Sequence, residues 1–430
     1  MAVTGRAAAA ALAGVLVVLA FRSWLTVLVV AVALAIGIAA DLLLAAAIRP
    51  LAMTRSGDTT VRLGETATVT LTISNPGRRT LRGLVRDAWP PSAGAAPRRA
   101  GTTIPPDGRA DLTVRLTPTR RGDRVAATVV VRSHGPLGLA ARQGRHAAPW
   151  TVRALPPFRS RRHLPEKLAR LRELDGLHRS LIRGQGSEFD SLREYVPGDD
   201  VRSIDWRGTA RSQDVLVRTW RPERDRRILV VLDTGRTSAG RVGDQPRLDT
   251  SMDAVLLLAA LAARAGDRID LLAFDRRPRA RVMAAPRTDV LRAFTNAMAP
   301  LEAELIESDS DAMTGAIMTH ARQRCLVVLL TDLNPAALSE GLLPHLPLLA
   351  SRHVLLLGAV ADARLDELAA GRGAAAAVYS AAAAERARTD RARLAAQLRQ
   401  RGVTVVDAPP DRLPPALADA YLDLKAAGRL

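Results

Sequence analysis

The stretch ILVVLDTGRTS, Ile228 to Ser238, decides how the second half of this 430-residue chain is read. Five apolar residues run straight into an acid, a glycine and three hydroxyl side chains. A short unbroken apolar run of this kind is how a strand buried on both faces is written. The same grammar recurs in RIDLLAFD from Arg268, CLVVLLTD from Cys325, HVLLLGAV from His353 and VTVVD from Val403. Helical stretches such as SMDAVLLLAALAARAG separate them. Strands alternating with helices predict an α/β fold, a doubly wound parallel sheet covered on both faces, over residues 226–430. Ligands of such sheets bind outside the carboxyl ends of the strands. Two strand candidates end there in an acid, Asp233 and Asp332.

Composition removes several alternatives. The net charge of +19 is almost wholly arginine, for the chain holds two lysines, Lys167 and Lys425. A positive surface favours anionic lipid or an acidic partner. Few aromatics and no reading motif argue against nucleic acid. Neither lysine follows a glycine, so the phosphate loop GxxxxGK[ST] is missing, as are HExxH and GxSxG. The single cysteine, Cys325, excludes an internal disulfide framework and any multi-cysteine metal site. Its apolar run, CLVVLL, predicts a buried structural thiol.

Outward from the sheet, the N-terminal half divides in three. Ala7 to Phe21 and Trp24 to Ile48 are apolar, and only Arg22 and Ser23 separate them. The second is long enough for a bilayer, which takes about twenty helical residues. A transmembrane helical hairpin over 1–50 is expected, in preference to a cleaved signal, since VLAFRSW offers no small-x-small site. Arg6, Arg49 and Arg55 against Arg22 place both ends on the cytoplasmic side of the plasma membrane. Asp41, costly in lipid, is expected to face the partner helix or an interface. Over 52–155, alternating runs place Val69, Leu71, Ile73 and Leu112, Val114, Leu116 inward, and Pro and Gly break the runs. That predicts a small β-sandwich of immunoglobulin-like type. Residues 156–225 then form a basic linker, a helix and an acid-rich segment.

At the strand ends, Asp233 and Asp332 on adjacent strands would share one mouth with the hydroxyl of Thr237 or Ser238. Such oxygens, with water, suit a hard divalent cation, and Mg²⁺ would keep several waters. The pattern resembles the von Willebrand factor A family, whose metal-ion-dependent adhesion site opens D-x-S-x-S after the first strand. A later strand end supplies another Asp in that family. Here Asp233 matches, Gly235 stands at the first Ser, Thr237 at the second, and Asp332 at the later acid. Gly235 removes one oxygen ligand, and the alternative is that both aspartates simply cap loops or helices. Glu307 and Asp309, in ESDSDAM, are further candidates for the mouth. DTG also matches the aspartic-protease triplet, but a helix follows it and no second triplet occurs. In DTGRT, Gly235 stands where a dehalogenase-type phosphatase keeps its acid, and glycine transfers no proton.

The acid-rich segment GSEFDSLREYVPGDDVRSIDW, Gly186 to Trp206, resembles the signature of the bacterial family called domain of unknown function 58. That pattern runs G-x-E-F-x-x-x-R-x-Y-x-x-G-D-x-x-R-x-I-D-W. Gly186, Glu188, Phe189, Arg193, Tyr195, Gly198, Asp199, Arg202, Ile204, Asp205 and Trp206 all match. SHGPLGLAAR, from Ser133, and YLDLK, at Tyr421 to Lys425, extend the resemblance, with His134 where the family often has an acid. Read as residues, Asp199 or Asp200 caps a short helix, and Arg193 and Arg202 pair with Glu188, Asp199, Asp200 and Asp205. Phe189, Tyr195, Ile204 and Trp206 would bury the other side. Such paired acids stay ionised and suit a structural or docking role. The resemblance implies a membrane-tethered A-domain protein that works with a MoxR-type AAA+ ATPase; an adaptor is therefore expected, and with no recognisable catalytic motif it is not expected to be an enzyme. The rival is a metal-dependent hydrolase in which Asp233 and Asp332 converge with Asp199, Asp200 and Asp205.

Overall fold

Alternation and apolar runs translate into two differently built units. A computed structural model describes residues 2–181, 188–197, 199–212, 214–221 and 226–430. Gly186 and Gly198 of the signature lie outside the described residues. The chain divides into Met1–Leu155 and Pro156–Leu430, and its class is mixed α/β.

The first unit opens with helices Gly5–Phe21 and Trp24–Leu44, joined by Arg22 in the left-handed region and by Ser23, whose hydroxyl accepts from Leu25 N–H. Gly14 lets them approach: a Cβ there would lie 2.4 Å from Val30 Cγ1. Trp24–Leu44 is long and apolar enough to cross a membrane; Gly5–Phe21 is shorter. Asp41 does not turn to the other helix. Its carboxylate accepts backbone N–H bonds from Leu137, Leu139 and Ala140.

Two facing sheets follow, antiparallel except where the short strand Thr60–Arg62 runs parallel to Ala140–Leu155. One has Ala67–Ser74 between Ala52–Gly57 and Arg109–Leu116; the other has Gly122–His134 between Ala140–Leu155 and Leu81–Asp87. Val69, Leu71, Ile73 and Leu116 are fully buried and Val114 nearly so, while Leu112 is half-buried. Beside this core the Arg55–Asp87 ion pair is buried, and Trp89 Nε1 donates to the same carboxylate at 2.8 Å. Guanidinium and indole thus satisfy an acid that burial would otherwise penalise.

In the second unit a six-stranded sheet runs Pro278–Val282, Arg268–Phe274, Arg227–Asp233, Leu326–Leu330, Val354–Val360, Thr404–Ala408. Every neighbour pair is parallel except the first. Ile228, Val230 and Leu232 enter one core, under helices Arg247–Arg264 and Leu413–Ala426. Leu229 and Val231 enter the other, under Ser310–His320 and Ala375–Gln400. Period two splits the run between two covered faces, which is why it shows no polar alternation. Cys325 is buried in the second core, and burial pushes its thiol up to about 11. The Arg247–Arg264 helix, rich in Leu and Ala, stops where Gly266 takes φ +78°.

Candidate functional site

In the observed strand order, Arg227–Asp233 and Leu326–Leu330 are the neighbours from which the sheet grows in opposite directions. Loops leaving the carboxyl ends of two such strands part company and leave a crevice. A cavity of about 220 Å³ lies there, lined by Asp233, Thr237, Ser308, Thr331, Arg236 and Glu307 among others.

Asp233 is 6% exposed and accepts four hydrogen bonds. Ser308 Oγ donates to Oδ1 at 2.5 Å, and Gly235 N–H to the same oxygen at 2.8 Å. Thr331 Oγ1 and Thr237 Oγ1 donate to Oδ2 at 2.6 and 3.1 Å. Gly235 is explained by space. A Cβ at that position would lie 2.2 Å from Ser308 Oγ and 3.0 Å from Ile306 O. The hydroxyl expected at residue 235 is therefore replaced by one from Ser308, seventy-five positions beyond Asp233.

Asp332 differs from the expectation. Its carboxylate does not join Asp233 but is shared by two guanidiniums: Arg247 Nη1 reaches Oδ2 at 2.9 Å and Arg391 Nη1 reaches Oδ1 at 2.7 Å. Arg391 also forks onto Asp407 through Nε and Nη2, both at 2.8 Å, and donates to Val360 O at 3.0 Å. Burial opposes its charge, but Asp407 and Asp332 outweigh that and raise its pKa. Thr331, one position earlier, is the residue that faces Asp233.

Asp233 with the hydroxyls of Thr237, Ser308 and Thr331 is a set of hard oxygens of the kind Mg²⁺ accepts. The second acid does not fit a two-carboxylate Mg²⁺ site, because Arg247 and Arg391 already neutralise it. Asp275, closing the neighbouring strand's LLAFD, was not singled out in the sequence. It is 1% exposed and accepts from Thr234 Oγ1 at 3.2 Å and Arg276 N–H at 2.6 Å. Glu307 lines the cavity, whereas Asp309 caps Ser310–His320 by accepting from Ala312 N–H at 2.9 Å.

The signature segment folds as a hairpin of Glu188–Glu194 against Leu216–Arg221. Arg193 Nη2 meets Asp199 Oδ1 at 2.6 Å, and Arg193 holds the Asp199 carboxyl below its ordinary pKa. Asp200 caps a 3₁₀ turn through Arg202 N–H. Asp205 caps the single-turn helix Trp206–Thr209 and pairs with Arg218 at 2.9 Å, which lowers its pKa. These acids are engaged by residues of their own segment and, among the described residues, share no hydrogen-bond partner with Asp233 or Asp332. Tyr195 and Ile204 are half-buried. Trp206, expected to be buried, is 69% exposed. Gly208 of that turn faces Leu192 and Leu216, and two residues along a helix is close to the opposite side.

Fold and cleft together define an α/β domain with an oxygen-lined crevice at the carboxyl edge of its sheet. The family model described as "Protein of unknown function DUF58" matches residues 191–403. Uncharacterized proteins of Mycobacterium tuberculosis and Mycobacterium bovis are 30% identical over 200 residues, covering 45% of this chain and 61% of theirs. The chain thus spans about three fifths of the length of these relatives. Among solved structures, the CARDB domain of a Pyrococcus furiosus protein is similar at 17% identity and TM-score 0.19, covering 24% of this chain and 86% of that one. An MSP-domain-like protein of Caenorhabditis elegans is similar at 15% identity and TM-score 0.17, covering 23% and 94%. Scores this low carry no inference for this chain.

Proposed function

We propose that this chain is a membrane-anchored adaptor whose second unit is a von Willebrand factor A-like domain. The crevice at Asp233 docks a partner protein, a MoxR-type AAA+ ATPase, which supplies the ATP-driven step in remodelling a client complex. Both apolar helices cross the plasma membrane, and the soluble units lie on the cytoplasmic side. One observation carries the docking role: Asp233 sits at the reversal of strand order, in a cavity, ringed by hydroxyls. A hydroxyl both donates and accepts, so an incoming group can enter this ring without stranding a polar atom. Because Arg247 and Arg391 already neutralise Asp332, docking does not require Mg²⁺.

The test is co-purification of the full chain, in detergent, with a MoxR-type AAA+ ATPase from a bacterium carrying both. Capture is expected with Mg²⁺ or with chelator, and loss of capture with Asp233→Arg. Equal capture by Asp233→Arg, or none by the native chain, refutes the docking role. Capture that vanishes with chelator refutes metal independence.

A further inference from the structure

The turn SHGPLGLAAR, from Ser133, is bound to the apolar helix Trp24–Leu44 in a way that ordinary surface loops are not. Leu137 N–H donates to Asp41 Oδ1 at 2.8 Å, and Leu139 and Ala140 donate to Oδ2, the latter at 3.0 Å. Gly135 N–H donates to Ala140 O and Gly138 N–H to Gly135 O, both at 3.2 Å. Pro136 has no N–H. Every backbone donor from Gly135 to Ala140 therefore has a protein acceptor. On the other side, Thr4 Oγ1 donates to Gly138 O at 2.6 Å and Thr4 N–H to Leu139 O at 3.1 Å. Gly135 is needed, since a Cβ there would lie 2.3 Å from Asp41 Oδ1.

Each unpaired backbone group in hydrocarbon costs several kcal/mol, and this turn leaves no N–H donor unpaired, with the carbonyls of Gly135, Gly138, Leu139 and Ala140 taken as well. The two leucine side chains agree, while the Arg6 guanidinium lies beside Gly138. Leu139 and Leu137 pack against Gly37 of the helix, where a Cβ would lie 2.9 and 3.9 Å from their Cδ1 atoms, and Leu137 is still 53% exposed. Gly37 precedes the last helical residue, Leu44, by seven positions, about 10 Å along the axis. A helix of 21 residues only just fills a slab of about 30 Å, so that depth lies inside it. At the helix end, Arg142 Nε donates to Leu42 O at 2.7 Å and Arg79 to Leu43 O. Both guanidiniums stand where lipid phosphates would be.

We infer that the Gly135–Ala140 turn enters the bilayer as a re-entrant tip, with Leu137 and Leu139 among the acyl chains and Asp41 as the acceptor that seals its backbone. This rests on the reading that Trp24–Leu44 crosses the membrane.

The test uses the full chain carrying Cys325→Ala and Leu137→Cys, labelled with an environment-sensitive fluorophore and reconstituted in phosphatidylcholine vesicles. Val125→Cys, exposed in the Gly122–His134 strand, is the aqueous control. Pro136→Cys replaces Leu137→Cys should the latter fail to fold. The label at the tip is expected to lose iodide quenching and to be quenched by acyl-chain doxyl lipid; the label at 125 shows the reverse. Iodide quenching at the tip equal to that at 125, in protein that floats with the vesicles and resists alkaline extraction, overturns the inference alone. Protein that fails to float overturns the membrane reading on which it stands.

Discussion

Replacing Arg391 with methionine tests whether a guanidinium or a metal ion belongs beside Asp332. The Arg391 side chain is 13% exposed and makes one bond to Asp332, two to Asp407 and one to Val360 O. Removing one partner of a buried ion pair costs about 3–5 kcal/mol. Asp407 is 22% exposed and Asp332 keeps Arg247, so both carboxylates recover some solvation or charge, and the lower end, about 3 kcal/mol, applies. Asp332→Asn should cost less, since Arg391 retains Asp407 and Arg247, 21% exposed, can turn to water. The two changes share one interaction, so the double variant should fall short of their sum by about 1–2 kcal/mol. Native-state hydrogen exchange of the full chain in detergent, read on the Val354–Val360 strand, isolates the six-stranded domain from the other unit. Measurements with and without millimolar Mg²⁺ complete the cycle. A loss under about 1 kcal/mol for Arg391→Met, together with Mg²⁺ protection that Asp332→Asn abolishes, would refute the reasoning and make Asp332 a cation ligand.

Gly235→Ser, which writes D-x-S into the strand end, should destabilise by about 1–3 kcal/mol through overpacking against Ser308 and the Ile306 carbonyl. A thermal melt should show partial recovery in Gly235→Ser/Ser308→Ala; a neutral single variant contradicts the steric account. Asp253, on the Arg247–Arg264 helix, accepts from Ser160 N–H and Oγ, yet burial outweighs these bonds and raises its carboxyl pKa. A raised folded pKa means that the native state holds the proton longer than the unfolded one. Its contribution is therefore fully present below the ordinary carboxylate value and is lost as pH rises through the folded pKa. Asp253→Asn should accordingly raise the melting temperature at pH 7 and leave it nearly unchanged near pH 3; an equal shift at both removes the titration argument.

What the sequence discloses follows from how many neighbours a residue answers to. ILVVLD, RIDLLAF and VLLLGAV are covered on both faces, so burial alone dictates their composition and they stand out. Pro278–Val282, PRARV, pairs on one side only and is half-exposed, so its arginines hide an edge strand. Asp233 was legible because its strand delivers it to the crevice. The fate of Asp332 was not. Arg391 lies fifty-nine positions away in a helix that also carries Arg386, Arg388, Arg393 and Arg399, and no local pattern marks the one that reaches inward. Ser308 and Thr331 stood beside acids that drew notice, but a hydroxyl next to a carboxylate is too common to signal. Trp206 went wrong for a helical reason, since a single turn has one packed side and Gly208 occupies it.

Three acids conspicuous in the sequence end with three kinds of donor, and the kind matters more than the acid. Asp41 is held by backbone amides, which are fixed in direction and can only donate. Asp332 is held by guanidiniums, which also only donate and keep a positive charge at any accessible pH. Displacing either set strands a buried charge. Around Asp233 three of the four donors are hydroxyls, and each can rotate to accept from an arriving group while the carboxylate accepts a hydrogen bond from that group. Exchange of partners is therefore cheapest at Asp233. In a chain so rich in arginine, an acid at a strand end is open to a new partner only when no guanidinium has reached it first, and of Asp233 and Asp332 only Asp233 meets that condition.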